Sequence, residues 1–327
     1  IFFVVDDNMD KGAYDRMGNE ILSCSYKEIT YDKNLNIFFV VDDNMDKGAY
    51  DRMGNEILSC SYKEITYDKN LNIFFVVDDN MDKGAYDRMG NQIILCSYKE
   101  ITYDKDLDIF FLTEDYMDQG IDDRMGNQII SCSYKEITYD KDLDMFFVMD
   151  DNMDKGAYDR MGDQIISCSY KEITYDKDLD MFFVMDDNMD KGAYDRMGNQ
   201  LVPCIYEKIT YDKGLNVFWV KDSEQMQGVC SRLGNNVIRC EYKEIVYDKD
   251  INMFFVQDND ETWGLFDRVG NEIIPCQFKE IKYSKGKNRL STVDKDGVQQ
   301  FIDLLNQQAQ GRKNNKQRLP ETYDMAK

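Results

Sequence analysis

Residues 37–72 read IFFVVDDNMDKGAYDRMGNEILSCSYKEITYDKNLN. Ile1 to Asn36 carries the same 36 letters, and edited copies begin at Ile73, Ile109, Met145, Met181, Val217 and Met253. A ninth, eroded copy starts at Arg289. A fixed period of roughly 20–50 residues marks a solenoid, a propeller or another array. A unit this small cannot bury a core by itself and must share one with its neighbours.

Within the quoted copy, residues 37–41 form a short β-branched and aromatic run bounded by Asn36 and Asp42, which predicts a strand buried on both faces. Residues 42–48 read as a polar turn, with Gly48 expected at positive φ. A second strand follows over 49–53, and Gly54-Asn55 suggests a two-residue hairpin of the primed type. A third strand covers 56–60. Two copies place Pro203 and Pro275 there, so that position belongs to a strand end, an edge or a bend. Residues 62–67 alternate as a fourth strand, and 68–72 turn into the next unit.

No unit carries an apolar stripe of helical period, so the array is expected to be all-β. The favoured arrangement is an open elongated β-array of tandem 36-residue repeats, each a small meander pairing with the next. Identical copies suit a stack that lengthens freely. An eight-bladed β-propeller is the alternative, although familiar blades run to about 40–45 residues. Eight repeats fill 1–288. Residues 289–310 hold the degenerate ninth repeat and a short capping helix, read from Val298, Phe301, Ile302 and Leu305 at helical spacing. Residues 311–327, with Arg312, Lys313, Lys316 and Arg318, read as a flexible basic tail. The chain opens inside a strand, which suggests a truncated N-terminus.

The formal charge is −23. It is spread evenly: the copy from Ile37 sets Asp42, Asp43, Asp46, Asp51, Glu56, Glu64 and Asp68 against Lys47, Arg52, Lys63 and Lys69. Such a surface repels nucleic acid and anionic membranes, and no apolar run is long enough for a membrane helix. Cys24, Cys60, Cys96, Cys132, Cys168, Cys204, Cys240 and Cys276 share one slot, with Cys230 outside it. One thiol per unit in an apolar setting reads as a small buried hydrophobe, and free thiols lean toward a cytoplasmic location.

There is no histidine, which removes Ser-His, Cys-His and His-metal arrangements. The acidic turns Asp104-x-Asp106-x-Asp108 and Asp140-x-Asp142-x-Asp144 imitate the start of a calcium loop. They lack the glycine and terminal glutamate such a loop needs. Neither an enzyme, a cofactor nor a metal is expected. Phe38, Phe39, Tyr50, Tyr62 and Tyr67 recur as candidate sugar platforms, but alternating strand positions also put them in a shared core.

The unit from Thr262 runs Trp263-Gly264-Leu265-Phe266-Asp267-Arg268-Val269-Gly270-Asn271-Glu272-Ile273-Ile274-Pro275, then Gln277-Phe278-Lys279-Glu280-Ile281. It resembles the WG-repeat family of bacterial proteins, and the resemblance extends over the eight full units. Lys11, Lys47, Lys83, Lys155 and Lys191, or Gln119 and Gln227, replace the signature tryptophan elsewhere. The resemblance implies a tandem β-repeat without known catalytic chemistry. Tyr50-Asp51-Arg52-Met53-Gly54-Asn55 is also similar, less fully, to the YD repeats of toxin shells. The functional expectation is a scaffold binding a basic protein through a repeated acidic surface. Its candidate contacts are Asp42, Asp43, Asp46, Asp78, Asp79 and Asp82, together with Trp263. Glycan binding at a cell surface is the alternative.

Overall fold

The computed structural model describes residues 1–286 and 289–302. Among these the chain is entirely β, without a helix. The first strands are β1 (Phe2–Val5), β2 (Lys11–Tyr14), β3 (Glu20–Tyr26), β4 (Glu28–Asp32), β5 (Ile37–Val41), β6 (Lys47–Asp51), β7 (Glu56–Tyr62), β8 (Glu64–Asp68), β9 (Ile73–Val77), β10 (Lys83–Asp87) and β11 (Gln92–Tyr98). Strands β12 (Glu100–Asp104) to β31 (Glu272–Phe278) continue the cycle, and β32 (Glu280–Ser284), β33 (Arg289–Val293) and β34 (Gln299–Ile302) close it. Residues 1–153 with 157–164 make one compact unit, and 154–156 with those from 165 onward a second.

Among the described residues the sheets are antiparallel meanders, seven of four strands and the first and last of three, and they are offset from the sequence repeat by one strand. Sheet order runs β4-β5-β6-β7, then β8-β9-β10-β11. The expected fourth strand of each repeat thus opens the next sheet. The cause is the connection. Only Lys63 separates β7 from β8, one residue short of the two a tight hairpin requires. Instead the Lys63 N–H donates to the Val77 carbonyl at 2.8 Å and hands the chain to the following sheet.

The turns also correct the sequence reading. Left-handed backbone in the β5–β6 turn falls on Met45 (φ 68°), not on Gly48. Gly48 lies inside β6, where a Cβ would stand 2.7 Å from the Cys60 Sγ. Gly54 (φ 85°) is not half of a two-residue turn. Its N–H donates to the Asp51 carbonyl, while the Asp51 N–H donates to that of Asn55, which makes a longer loop. Asp51 Oδ1 accepts from the Met53 and Asn55 N–H groups and so ties the loop to its own strand. Pro203 and Pro275 lie in third strands, Gln200–Tyr206 and Glu272–Phe278, which are outer strands of their sheets. That is the edge position proline tolerates. At the far end, β34 is a strand where a capping helix is expected, because Phe301 pairs with Ser291 and Ile302 with Leu290. The remainder of that expected helix and the basic tail lie outside the described residues.

Each core is shared. Phe38 is fully buried and packs with Val40 of its own sheet against Ala13 and Leu22 of the preceding one. Phe74 and Val76 meet Leu35, Ile37, Ala49 and Leu58 in the same way, and Phe110 meets Leu71, Ile73, Ala85 and Ile94. In the second unit Phe218 and Val220 join Met181, Ala193 and Val202. Rings link the sheets directly, Phe39 to Phe74 at 6.4 Å edge-on. Burying one phenylalanine contributes about 1.5–3 kcal/mol, and each such ring needs atoms from a second repeat.

Three further contacts repeat at the seams. Arg88, Arg124 and Arg160 donate to the carbonyls of Leu35, Leu71 and Leu107, and Arg232 and Arg268 to those of Leu179 and Leu215. Tyrosine hydroxyls meet in pairs: Tyr62 with Tyr86 at 2.8 Å, Tyr134 with Tyr158 and Tyr170 with Tyr194. The Gly54-type residue presses on the neighbouring backbone, and a Cβ at Gly126 would stand 2.0 Å from the Ile93 carbonyl oxygen. Gly126→Ala is therefore expected to cost at least about 2 kcal/mol. Gly297→Ala, at the same φ with nothing within 4 Å, should cost only the backbone preference, about 1 kcal/mol. Urea denaturation of the two full-length variants compares them.

One seam departs from the pattern. Asp122 occupies the tyrosine slot opposite Tyr98, between Phe110 and Gln128 on the flanking strands, and is only 9% exposed. Burial, then the adjacent Asp123, pushes its carboxyl up to about 6. The folded chain therefore holds this proton more tightly than the unfolded chain does. The resulting stabilisation is complete below about pH 4 and is lost as pH rises through 6. Asp122→Asn should thus raise stability by up to about 3 kcal/mol at pH 7.5 and change it little at pH 3.5. Denaturation midpoints at the two pH values give the test.

Candidate functional site

Antiparallel order sends the repeated turns to two ends of each sheet. The β5–β6 turn (Asp42-Asp43-Asn44-Met45-Asp46) and the single-residue link at Lys63 share one end. The β4–β5 and β6–β7 turns, with Arg52 and Met53, share the other. The first end gathers the carboxylates singled out in the sequence, so it is the candidate interaction surface.

Those carboxylates have two kinds of work. Asp42 Oδ1 accepts the N–H groups of Asn44 and Asp46, each at 2.9 Å, and Asp78 does the same for Asn80 and Asp82. These two hold the turns in shape. The others are clamped across the seam. Lys63 Nζ lies 2.6 Å from Asp46 of its own sheet and 2.7 Å from Asp79 of the next. Lys27 bridges Asp10 and Asp43, and Lys99 bridges Asp82 and Asp115. The hydrogen bonds to Asp46 and then Asp79 raise the Lys63 ammonium well above its ordinary range, so it stays charged. Asp46 is shielded by this bridge, whereas Asp43 and Asp79 remain about 69% exposed. The six aspartates therefore share one end of their sheets, part scaffolding and part accessible.

Trp263 does not join them. It sits on a strand (Trp263–Asp267) paired with Gln257 and Phe278, half-buried against the cluster of Met253, Phe255, Leu265 and Leu290. The candidate sugar platforms are likewise taken up by other rings: Tyr67 lies on Phe74, its partner on the neighbouring strand of the same sheet, and Tyr62 on Tyr86 across the seam. The thiols point inward. Cys96, Cys168, Cys204 and Cys240 donate to main-chain carbonyls of the turn before the preceding strand, and burial, then Asp42, pushes Cys60 up to about 11.

The calcium-like turns are closed on themselves. Asp104 Oδ1 accepts the N–H groups of Asp106 and Leu107, and Asp140 those of Asp142 and Leu143. The Leu35 and Asn34 N–H groups hold the equivalent Asp32 carboxyl below its ordinary value. No three His, Cys, Asp or Glu side chains among the described residues are grouped to hold a metal ion. An open hollow of about 350 Å³ is lined by Glu241, Asp258, Asp260, Glu272 and Cys276, at the small end for a ligand site.

Sequence reasoning missed one regular feature. Met9, Met45, Met81, Met117, Met153 and Met189 tip the acidic turns, and a second set from Met17 to Met197 tips the turns at the opposite end; all are exposed. Their recurrence at two fixed offsets was the available signal.

Residues 192–223 and 263–297 match a family model described as the WG containing repeat. No curated protein matches the chain. Among solved structures, the C-terminal WD40 domain of Sif2 aligns over 86% of this chain and 96% of that one at 8% identity. The TM-score of 0.24 is too low to equate the two architectures. The second matched segment begins at Trp263-Gly264, on the strand Trp263–Asp267, so these two stretches of the chain are similar to the WG containing repeat.

Proposed function

We propose that this repeat protein is a non-catalytic scaffold that binds a basic protein partner through the acidic end of its sheets. One observation carries the reading: the junction lysine that joins two turns answers only part of their charge. Asp42, Asp43, Asp46 and Glu64 belong to this end of one repeat, and Lys47 and Lys63 are the cations set against them. The surplus recurs at seam after seam, while Asp43 and Asp79 stay accessible. Modest contacts repeated at fixed positions give a partner with several basic segments far more affinity than any one contact supplies. The non-catalytic part rests on the same repetition, since residues that recur from unit to unit single out no reacting centre.

A fluorescent, unstructured Lys/Arg-rich peptide titrated against the full chain tests this. Affinity should fall by roughly tenfold or more between about 50 and 500 mM salt. It should fall similarly in the variant combining Asp43→Asn, Asp79→Asn, Asp115→Asn and Asp151→Asn. Binding that resists both changes refutes an electrostatic scaffold.

A further inference from the structure

The methionines that tip the acidic turns are apolar and exposed at a backbone cost. In the first compact unit Met9, Met45, Met81, Met117 and Met153 are 60–74% exposed with φ between 65° and 69°. A side chain in that left-handed conformation costs about 1 kcal/mol. At the opposite end the β6–β7 turn meets the same need with glycine, as at Gly54, and the β4–β5 turn with asparagine, as at Asn36. In the second unit Gln225 and Glu261 take the slot at positive φ, so the turn does not require a thioether. The tips of the first unit are also joined in a line. Lys27, Lys63, Lys99 and Lys135 each bind an aspartate of one acidic turn and an aspartate of the next, at 2.6–3.0 Å.

This inference rests on the scaffold reading and narrows it: we infer that the methionine-tipped acidic end of the first unit docks a basic amphipathic helix. Thioethers are flexible and polarisable and mould to irregular apolar faces. A helix with leucine-like residues on one side and lysines on the other can lay its apolar stripe along the tips. Its cations then face Asp43, Asp79 and their equivalents. Charge complementarity selects this partner over an anionic bilayer, which the same carboxylates repel.

The test uses a synthetic peptide of about 20 residues with leucine on one helical face and lysine on the other, and a scrambled isomer lacking any apolar face. The full chain is expected to bind the ordered peptide at least tenfold more tightly than the isomer. A variant carrying Met9→Asn, Met45→Asn, Met81→Asn, Met117→Asn and Met153→Asn should lose that preference without a lower melting temperature, because asparagine accepts left-handed backbone. Replacing Met17, Met53, Met89, Met125 and Met161 by glutamine at the opposite end should leave it intact. Equal binding of both peptides by the unmodified chain overturns the helix inference and leaves the acidic scaffold standing. An unchanged preference in the asparagine variant, or its loss in the glutamine variant, also overturns it. If neither peptide binds, the scaffold reading falls as well.

Discussion

A phenylalanine with no interior of its own governs this molecule. Phe38 and its counterparts sit on one face of a four-stranded sheet whose burial is completed by the apolar side chains, Ala13 and Leu22 or their equivalents, of the sheet before. Alanine on β6 keeps the earlier surface low enough for the ring to approach, while the glycine beside it makes room for Cys60 of its own sheet. The arginine and tyrosine contacts and the pressed glycine turns are laid over the same seam, so every polar bond there is made between surfaces already driven together by apolar burial.

The acidic surface follows from the same geometry. Turns of four or five residues need acceptors for their unpaired N–H groups, and aspartate at the start of the turn supplies them within two to four residues. Repeating the unit repeats the charge. Carboxylates of adjacent turns would repel, and the lysine left in the one-residue link is placed to bind one from each. The exchange at Glu207 illustrates the rule: where the lysine slot turns acidic, the following turn has Ser223 in place of the aspartate that the lysine would bind, and Gln225 binds Glu207 instead.

Strand existence and the shared core were legible because a period of two within the strands and 36 between them leaves few alternatives. The limits of that reading have physical causes. Spacing shows that Lys63 lies between two apolar runs, but only the hydrogen-bonding reach of one residue reveals that the runs occupy different sheets. Gly48 and Gly54 look alike as letters. One is small because Cys60 approaches it, and the other because its backbone is left-handed and pressed on a neighbour. The six aspartates were identified by charge, yet their division into turn-holders and clamped, accessible groups depends on which lysine of which repeat comes near. Phe301 and Ile302 satisfy a helical spacing as well as a strand pairing, and four residues beside Leu290 favour the ladder.

The offset between covalent repeat and folded sheet carries a consequence for how such a gene can grow or shrink. Because a strand always overhangs into the following sheet, unequal recombination anywhere along the 36-codon period rejoins a half-finished meander to a matching overhang. Breakpoint position is then immaterial, and every product contains whole sheets. A protease nick, by contrast, is sensitive to position: a cut at the one-residue link leaves whole sheets on both sides, whereas a cut inside a meander leaves unmatched strands, the molecular counterpart of a cohesive end.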